Sequence, residues 1–233
     1  MLIGRTALLA DLSAQVAAGN TVLIHGPWGI GKSALLAELH RSWRARGRPC
    51  GLAPQTRVLG DVTRALAEAY PKVTSTGRSQ RQLRSALRMA VESNPGVLLL
   101  DHVAARGTAL KGFLRSLQGT GLGVLLAVDV EDRQDRERVR ALALAYREVE
   151  VPPLPPRHLR LLLDNGLADI PHRLADTDRK ALLELAAGRP GWVHDMVRRL
   201  AAPHYWGGQK VLIELLRCDL SLEVMAHHLQ PWT

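Results

Sequence analysis

The sequence predicts an α/β fold, a parallel sheet sandwiched by helices, followed by a small all-helical domain. Apolar runs with strand character alternate with helical, arginine-rich stretches over the first 151 residues. This alternation is typical of a parallel sheet with helices on both faces. Four prolines then fall within residues 152–156, a composition that neither a helix nor a central strand tolerates. Because the remainder shows helical patterns, we expect an α/β domain over residues 1–151 and a helical domain over residues 152–233.

The helices and strands of the first domain are expected to follow one another in order. Leucines at helical spacing indicate the first helix, which ends at Gly19, and the apolar segment TVLIH then begins a buried strand. The later strands are short apolar runs bounded by turn residues. Helices are predicted over residues 6–18, 33–45, 61–69, 79–93, 108–117 and 133–145. Strands are predicted over residues 21–25, 49–53, 97–101, 124–128 and 147–151.

Beyond the prolines the chain is expected to form a small helical bundle. Helices are predicted over residues 157–165, 176–187, 192–201, 209–217 and 220–229. The segment DLSLEVMAHHL near the end has a pattern that also occurs in the first helices of a helix-turn-helix. No recognition helix follows it in this sequence, so we interpret the segment as part of the packing of the bundle.

The composition argues against several classes of protein. No apolar run approaches the roughly 20 residues that a membrane-spanning helix needs, and the first residues lack the basic and apolar segments of a secretory signal. The two cysteines, Cys50 and Cys218, are too few for a disulfide framework or a cysteine-based metal site. The nine histidines show no HExxH motif. We expect a soluble, cytoplasmic protein with no membrane partner.

The net charge of +9 is concentrated in the first 100 residues, which carry 13 basic and 5 acidic residues and therefore +8, against +1 for the rest. Two basic clusters contribute to it, Arg41, Arg44, Arg46 and Arg48, and Arg78, Arg81, Arg84 and Arg88. The asymmetry favours a polyanionic partner such as duplex DNA, bound through its phosphates. Ordinary solvated helix faces in a protein from a GC-rich genome are the alternative, since 26 arginines stand against 5 lysines.

One segment matches GxxxxGK[ST] and lies directly after a predicted strand and directly before a predicted helix. It reads Gly26-Pro27-Trp28-Gly29-Ile30-Gly31-Lys32-Ser33. In this P-loop pattern the glycines allow the backbone N–H groups to turn inward, at the positive end of the helix dipole, and so to bind phosphate. We expect Lys32 to reach the β and γ phosphates of ATP and the Ser33 hydroxyl to bind Mg²⁺.

A carboxylate is the second requirement of the expected magnesium site. The apolar run VLLLD ends in Asp101, at the tip of a strand that we predict to be buried on both faces. In proteins with this loop an aspartate in such a position faces Mg²⁺. The sequence therefore predicts Lys32, Ser33 and Asp101 as one nucleotide site.

With these motifs in their order, the chain resembles the AAA+ and STAND group of P-loop ATPases over almost its whole length. The segment Ile3-Gly4-Arg5 looks like the box that packs beside the adenine, VLIHGPWGIGKSALL, which includes Ala34, looks like the Walker A segment, and VLLLDHV looks like Walker B. The segment AAGRPGWV is similar to the GxP box of the STAND lid, with Gly188 and Pro190, and Arg189 is the candidate for the sensor-2 arginine. The resemblance implies ATP or ADP held between the α/β domain and a helical lid.

Three positions depart from the pattern of this group or extend it. His102 stands where relatives that hydrolyse ATP carry a second acid, so it either acts as a weak general base or only ends the strand. Asp129 occupies the sensor-1 position at the end of the next strand, where relatives more often have Asn, Thr or Ser. Arg147 lies where relatives carry an arginine finger that reaches a neighbouring subunit, although it is also compatible with a solvated surface residue.

The leading functional expectation is an ATP-dependent switch that couples nucleotide state to oligomerisation and partner recruitment on DNA. It would resemble small AAA+ regulators of transposition or replication loading, acting as a homo-oligomer or as a subunit of a larger assembly. One alternative is a signalling regulator that binds protein and not nucleic acid. A small-molecule kinase, which also uses GxxxxGK[ST], is disfavoured by the helical lid and the accompanying boxes.

Overall fold

The computed structural model describes residues 2–56, 58–74, 77–103, 108–129, 146–168, 170 and 174–229. The chain divides into two compact units, one formed by Met1–Pro27 and Lys32–Val151, the other by Trp28–Gly31 and Pro152–Thr233. The second unit thus includes four residues of the predicted phosphate loop. The helix predicted over residues 133–145 lies outside the described residues.

The first unit contains a five-stranded sheet in which every pair of neighbouring strands is parallel. Its strands are β1 (Thr21–Gly26), β2 (Cys50–Ala53), β3 (Val97–Leu100), β4 (Gly123–Asp129) and β5 (Arg147–Glu150). Their order across the sheet is β2-β3-β4-β1-β5. The predicted fold class is confirmed, and β4 lies between the strand that precedes the phosphate loop and the strand that precedes Asp101.

Helices cover both faces of this sheet. The described helices of the unit are α1 (Thr6–Ala17), α2 (Lys32–Ala45), α3 (Leu59–Ala69), α4 (Gln80–Ser93) and α5 (Thr108–Ser116). Helices α3, α4 and α5 contribute Leu66, Leu87 and Phe113 to a core that also contains Leu98 and Leu100 of β3, all at most 1% exposed.

The other face of the sheet is covered by α1 and α2. Because side chains alternate along a strand, Val97 and Leu99 of β3 point away from the core of α3 to α5, and they are buried as well. Helix α2 contacts β3 and also α1, where the Trp43 Nε1–H group donates to Ser13 Oγ at 3.2 Å. Burial on both faces explains why the strands read as continuous apolar runs.

The second unit consists of helices and one small hairpin. Its helices are α6 (Pro156–Leu167), α7 (Asp176–Ala186), α8 (Pro190–Leu200) and α9 (Ile213–Leu229), and its hairpin pairs β6 (Trp206–Gly207) with β7 (Lys210–Val211). Leu163, Leu182, Met196, Leu216 and Leu220 lie in its core.

The end of the second unit differs from the prediction of two helices over residues 209–217 and 220–229. Residues Lys210–Val211 form a strand because Gly208, with a φ of +70°, permits the tight turn after Gly207. The chain from Ile213 to Leu229 is one continuous helix, in which Leu216 and Leu220 bury the same face four residues apart. No helix-breaking residue separates them, so the predicted division was wrong.

The long helix α9 is fixed to its own unit by polar contacts. Arg199 Nη2 of α8 lies 2.6 Å from Glu223 Oε2, and the Tyr205 hydroxyl donates to Asp219 Oδ2 at 2.5 Å.

In the described part of the chain, no helix is both long enough and apolar enough to span a bilayer. Cys50 is a buried free thiol and Cys218 an exposed one.

Candidate nucleotide-binding site

The predicted phosphate loop connects β1, which ends at Gly26, to α2, which begins at Lys32. Gly29 and Gly31 have φ values of +79° and +100°, a region that residues with a side chain rarely adopt. The first four N–H groups of α2 have no acceptor within the helix, and the helix dipole adds positive potential at the same end. Ser33 and Ala34 are exposed in this first turn. The loop therefore has the backbone that anion binding requires.

The Lys32 side chain folds back over the loop. Its Nζ donates to the Gly26 carbonyl at 2.6 Å and to the Pro27 carbonyl at 3.0 Å, and the residue is 6% exposed. These two bonds place the ammonium group above the loop backbone. A cation beside the N–H groups at the start of a helix favours the binding of an anion.

The tip of the loop, Trp28–Gly31, packs within the second unit against the beginning of α8. The Gly191 N–H donates to the Gly29 carbonyl at 2.8 Å. A Cβ on Gly29 would lie 2.7 Å from Trp192 Cδ1, and a Cβ on Gly191 would lie 2.8 Å from Gly29 Cα. Both positions therefore require glycine. Sequence reasoning singled out the GxP box but missed Gly191 and Trp192, because neither belongs to the motif.

The GxP box leads into α8 through two residues with left-handed backbone. Ala187 and Gly188 have φ values of +47° and +79°, and the Leu154 N–H donates to the Gly188 carbonyl at 2.9 Å. Pro190 begins the helix, and the Arg189 guanidinium lies 4.8 Å from the centroid of the Trp192 ring. The sensor-2 role of Arg189 stays a prediction, and the structure adds that this side chain stacks on an indole.

Asp101 lies directly after β3, where it is buried and is followed by a residue with a left-handed backbone. The residue is 7% exposed, and its Oδ1 accepts from the His102 N–H at 2.9 Å. His102 has a φ of +45°, and its carbonyl accepts from Thr56 Oγ1 at 3.2 Å. A left-handed conformation at a residue other than glycine is a constraint often found at functional sites. The Thr56 contact could not be predicted from the sequence, because the segments after β2 and β3 are far apart in the chain.

The His102 imidazole lies beside the Asp101 carboxylate. Its Nε2 is 3.9 Å from Asp101 Oδ2, and the side chain is 44% exposed. The imidazole is thus accessible to water next to the predicted magnesium ligand. This position is compatible with both interpretations of His102, a weak base or a residue that only ends the strand.

The strand register brings three predicted site elements to one edge of the sheet. Gly26 pairs with Asp129 at the end of β4, and Leu100, the residue before Asp101, pairs with Leu126 of the same strand. The phosphate loop, Asp101 and the Asp129 backbone therefore all lie at the carboxyl ends of parallel strands. In open α/β sheets, ligands bind outside these carboxyl ends.

Arg147 lies away from these strand ends, and Arg5 lies directly before α1. Arg147 begins β5 opposite Val22, at the amino edge of the sheet, where its Nη1 lies 3.4 Å from Asp11 Oδ1 and half of its side chain is exposed. An arginine finger acts on a neighbouring subunit, so its role stays a prediction. Arg5, which follows Gly4, is buried, and this burial lowers the pKa of its guanidinium.

The contact between His25 and Glu148 was also not predicted from the sequence. His25, directly before Gly26, is 4% exposed, and its Nε2 lies 3.2 Å from Glu148 Oε1 of β5. The His25 carbonyl also accepts from the Val151 N–H at 2.9 Å. Together these contacts attach the edge strand to the strand that leads into the phosphate loop.

Solved structures resemble this chain over most of its length. An ORC1 protein of Aeropyrum pernix in complex with DNA is 18% identical, with 94% of this chain and 66% of that chain covered and a TM-score of 0.59. A Walker-type ATPase of Pyrococcus abyssi is 16% identical, with 98% and 75% covered and a TM-score of 0.66. A STAND protein of Pyrococcus horikoshii with a tetratricopeptide repeat sensor is 14% identical, with 81% and 28% covered and a TM-score of 0.52.

At these identities the likeness concerns the fold, and the chain spans slightly less than two thirds of the Aeropyrum structure. No curated protein matches the chain. The model of the ATPase family associated with various cellular activities (AAA) matches residues 22–163, which is more than half of the chain. These residues include the loop with Lys32, the strand before Asp101 and the edge strand β5. By this match and by its fold, the chain belongs to the AAA family of P-loop ATPases.

Proposed function

We propose that this chain is an ATP-dependent molecular switch, in which the bound nucleotide, ATP or ADP, controls self-assembly and the recruitment of duplex DNA. The observation that carries the proposal is the position of Lys32, whose Nζ lies 2.6 Å from the Gly26 carbonyl in a loop with two left-handed glycines. This arrangement supports binding of a polyphosphate through the loop amides and the ammonium group.

The residues at the carboxyl edge also suit Mg²⁺. The exposed Ser33 hydroxyl and the Asp101 carboxylate are hard oxygen ligands of the kind that this ion prefers. When bound, Mg²⁺ neutralises charge on the β and γ phosphates. Asp101 keeps one oxygen in a bond to the His102 N–H, and its second oxygen is the one we assign to the ion.

We further propose that ATP turnover is slow because His102 replaces the second acid of Walker B. The change His102→Glu is expected to raise the rate of phosphate release by about 10-fold or more, since a positioned general base contributes roughly 10²- to 10⁴-fold. The rate would be measured with saturating Mg-ATP and compared with nucleotide affinity, which should change little.

The variant His102→Ala separates the two interpretations of this residue. If the imidazole acts as a base, His102→Ala lowers turnover below that of the wild type, and if it only ends the strand, turnover is unchanged. A wild-type protein that already hydrolyses ATP as fast as the His102→Glu variant would contradict the slow-switch proposal.

Two observations support DNA as the platform. The first 100 residues carry a charge of +8, and the Aeropyrum neighbour was solved in complex with DNA. We expect duplex DNA to bind about 5- to 150-fold more tightly with ATP than with ADP, the usual range for coupled sites. Fluorescence anisotropy with a labelled duplex measures this ratio, and light scattering in the same solutions measures assembly. Equal affinity for DNA with ATP and with ADP would contradict the proposed coupling between nucleotide state and DNA binding.

A further inference from the structure

Resting on the proposed recruitment of DNA, we propose that one helix, α4, together with Arg78 just before its N-cap, is the surface that contacts the phosphates of the duplex. The contacting groups form an arginine ridge, defined as Arg78, Arg81, Arg84 and Arg88. The second basic cluster, at the end of α2, is not part of this contact. Binding through the ridge is independent of DNA sequence.

The geometry of α4 separates its apolar and basic faces. Leu83, Leu87 and Val91 are buried in the core of the first unit at a spacing of four residues. Arg81, Arg84 and Arg88 fall on a different face of the helix, Arg78 directly precedes the N-cap Ser79, and all four arginines are exposed. With a rise of about 1.5 Å per residue, Arg81 and Arg88 are separated by roughly 10 Å along the axis. The ridge therefore presents a row of cations of regular spacing.

The start of α4 is held in a fixed conformation and adds to the positive potential. The Ser79 N–H donates to Gln82 Oε1 at 2.8 Å, and the Gln82 N–H donates to Ser79 Oγ at 3.3 Å, which together form a capping box. The first turn contains no acidic residue, so the positive end of the helix dipole is not compensated there. An anion approaching this end meets both the dipole and the guanidinium groups.

Most of the ridge is available for a partner. Arg88 donates to Glu92 Oε1 at 2.9 Å, and Glu92 is the one acidic residue of the helix. Within the ranges that the structure describes, Arg78, Arg81 and Arg84 form no ion pair. Three guanidinium groups can therefore bind phosphates without first giving up a carboxylate.

The cluster at the end of α2 differs from the ridge in the partners of its arginines and in its position at the negative end of a helix. Arg41 is paired with Glu38, and the Arg48 guanidinium lies 5.4 Å from the centroid of the Trp43 ring. Arg44 lies in the last turn of α2, where a cation stabilises the negative end of the helix. Helix α2 also covers the face of the sheet opposite to α4, so one straight duplex cannot lie along both clusters.

The ridge fits a duplex better than a single strand. A duplex carries a uniform charge, about one per 1.7 Å of its axis, which a regular row of cations can follow. Proteins that bind single strands stack the bases on aromatic side chains, and α4 contains no aromatic residue. An arginine row that meets only phosphates provides no readout of the bases.

The test compares two triple variants that each remove three positive charges. In the ridge variant, Arg78, Arg81 and Arg84 are replaced by glutamine. Binding of a labelled duplex of mixed sequence is measured in the presence of ATP over a range of KCl concentrations. We expect the slope of log K against log salt to become shallower by about 3, since each lost phosphate contact removes about 0.9 from it.

In the control variant, Arg44, Arg46 and Arg48 are replaced by glutamine, and the slope should remain that of the wild type. If the slope of log K against log salt becomes shallower in the control variant and stays that of the wild type in the ridge variant, the assignment to α4 is overturned while DNA recruitment stands. If the wild type shows no salt-dependent DNA binding, recruitment itself fails. Equal affinity and slope with a single strand of the same length would overturn the choice of a duplex.

Discussion

Replacement of Lys32 by alanine is expected to lower the affinity for ATP by about 10- to 100-fold, because a hydrogen bond to a charged group contributes about 1.5–3 kcal/mol and each 1.4 kcal/mol is tenfold. The ammonium group already lies over the loop, at 2.6 Å from the Gly26 carbonyl. Calorimetric titration with Mg-ATP would measure the difference.

A matched control for this variant is Lys180→Ala. Lys180 is 80% exposed on α7, and its nearest acidic partner, Glu184, is 3.9 Å away, a surface pair of little consequence for stability. Both variants remove one lysine charge, so a loss confined to Lys32→Ala identifies a local effect. An unchanged ATP affinity for Lys32→Ala would contradict the assignment of the loop.

The loop could be recognised from the sequence because its determinants are contiguous. The glycines, Lys32 and Ser33 lie within eight residues, and the strand and helix on either side have clear apolar patterns. The same holds for Asp101 at the end of an apolar run. Local patterns of this kind determine which segments are helices and which are strands. Because the strands pair in parallel, their carboxyl ends then lie at the same edge of the sheet.

Contacts between distant segments could not be predicted in this way. The order of the strands places β4 between β1 and β3, although the chain reaches it last of the three. The left-handed conformation of His102 depends on its bonds to Asp101 and Thr56, and Thr56 belongs to another strand connection. No single-sequence pattern reports such pairings.

The hairpin in the second unit was missed for a different reason. The segment from Trp206 to Val211 has only two residues in each strand, which is too short for an alternating pattern to appear. The glycines at positions 207 and 208 are the one local signal, and they indicate a turn without identifying the strands on either side. The following helix begins only at Ile213.

Gly191→Ala is expected to weaken ATP binding through the tip of the phosphate loop, within the second unit. The added Cβ would lie 2.8 Å from Gly29 Cα and 2.9 Å from the Gly29 oxygen. These are backbone atoms, so the loop itself must move. In a trans peptide the Gly29 carbonyl and the Ile30 N–H point in opposite directions. A tilt of that carbonyl therefore also turns an amide of the anion-binding loop.

The expected loss of ATP affinity is about 10-fold, because overpacking costs about 1–3 kcal/mol and each 1.4 kcal/mol is tenfold. Gly112→Ala is the matched control, since Gly112 lies inside α5 and a Cβ there would meet nothing within 4 Å. That change should leave ATP affinity unaltered and raise the free energy of unfolding by about 0.5–1 kcal/mol. If both alanine variants bind ATP like the wild type, the bond from Gly191 to Gly29 does not position the loop. A loss confined to Gly191→Ala, with a preserved fold, assigns the first turn of α8 to nucleotide binding.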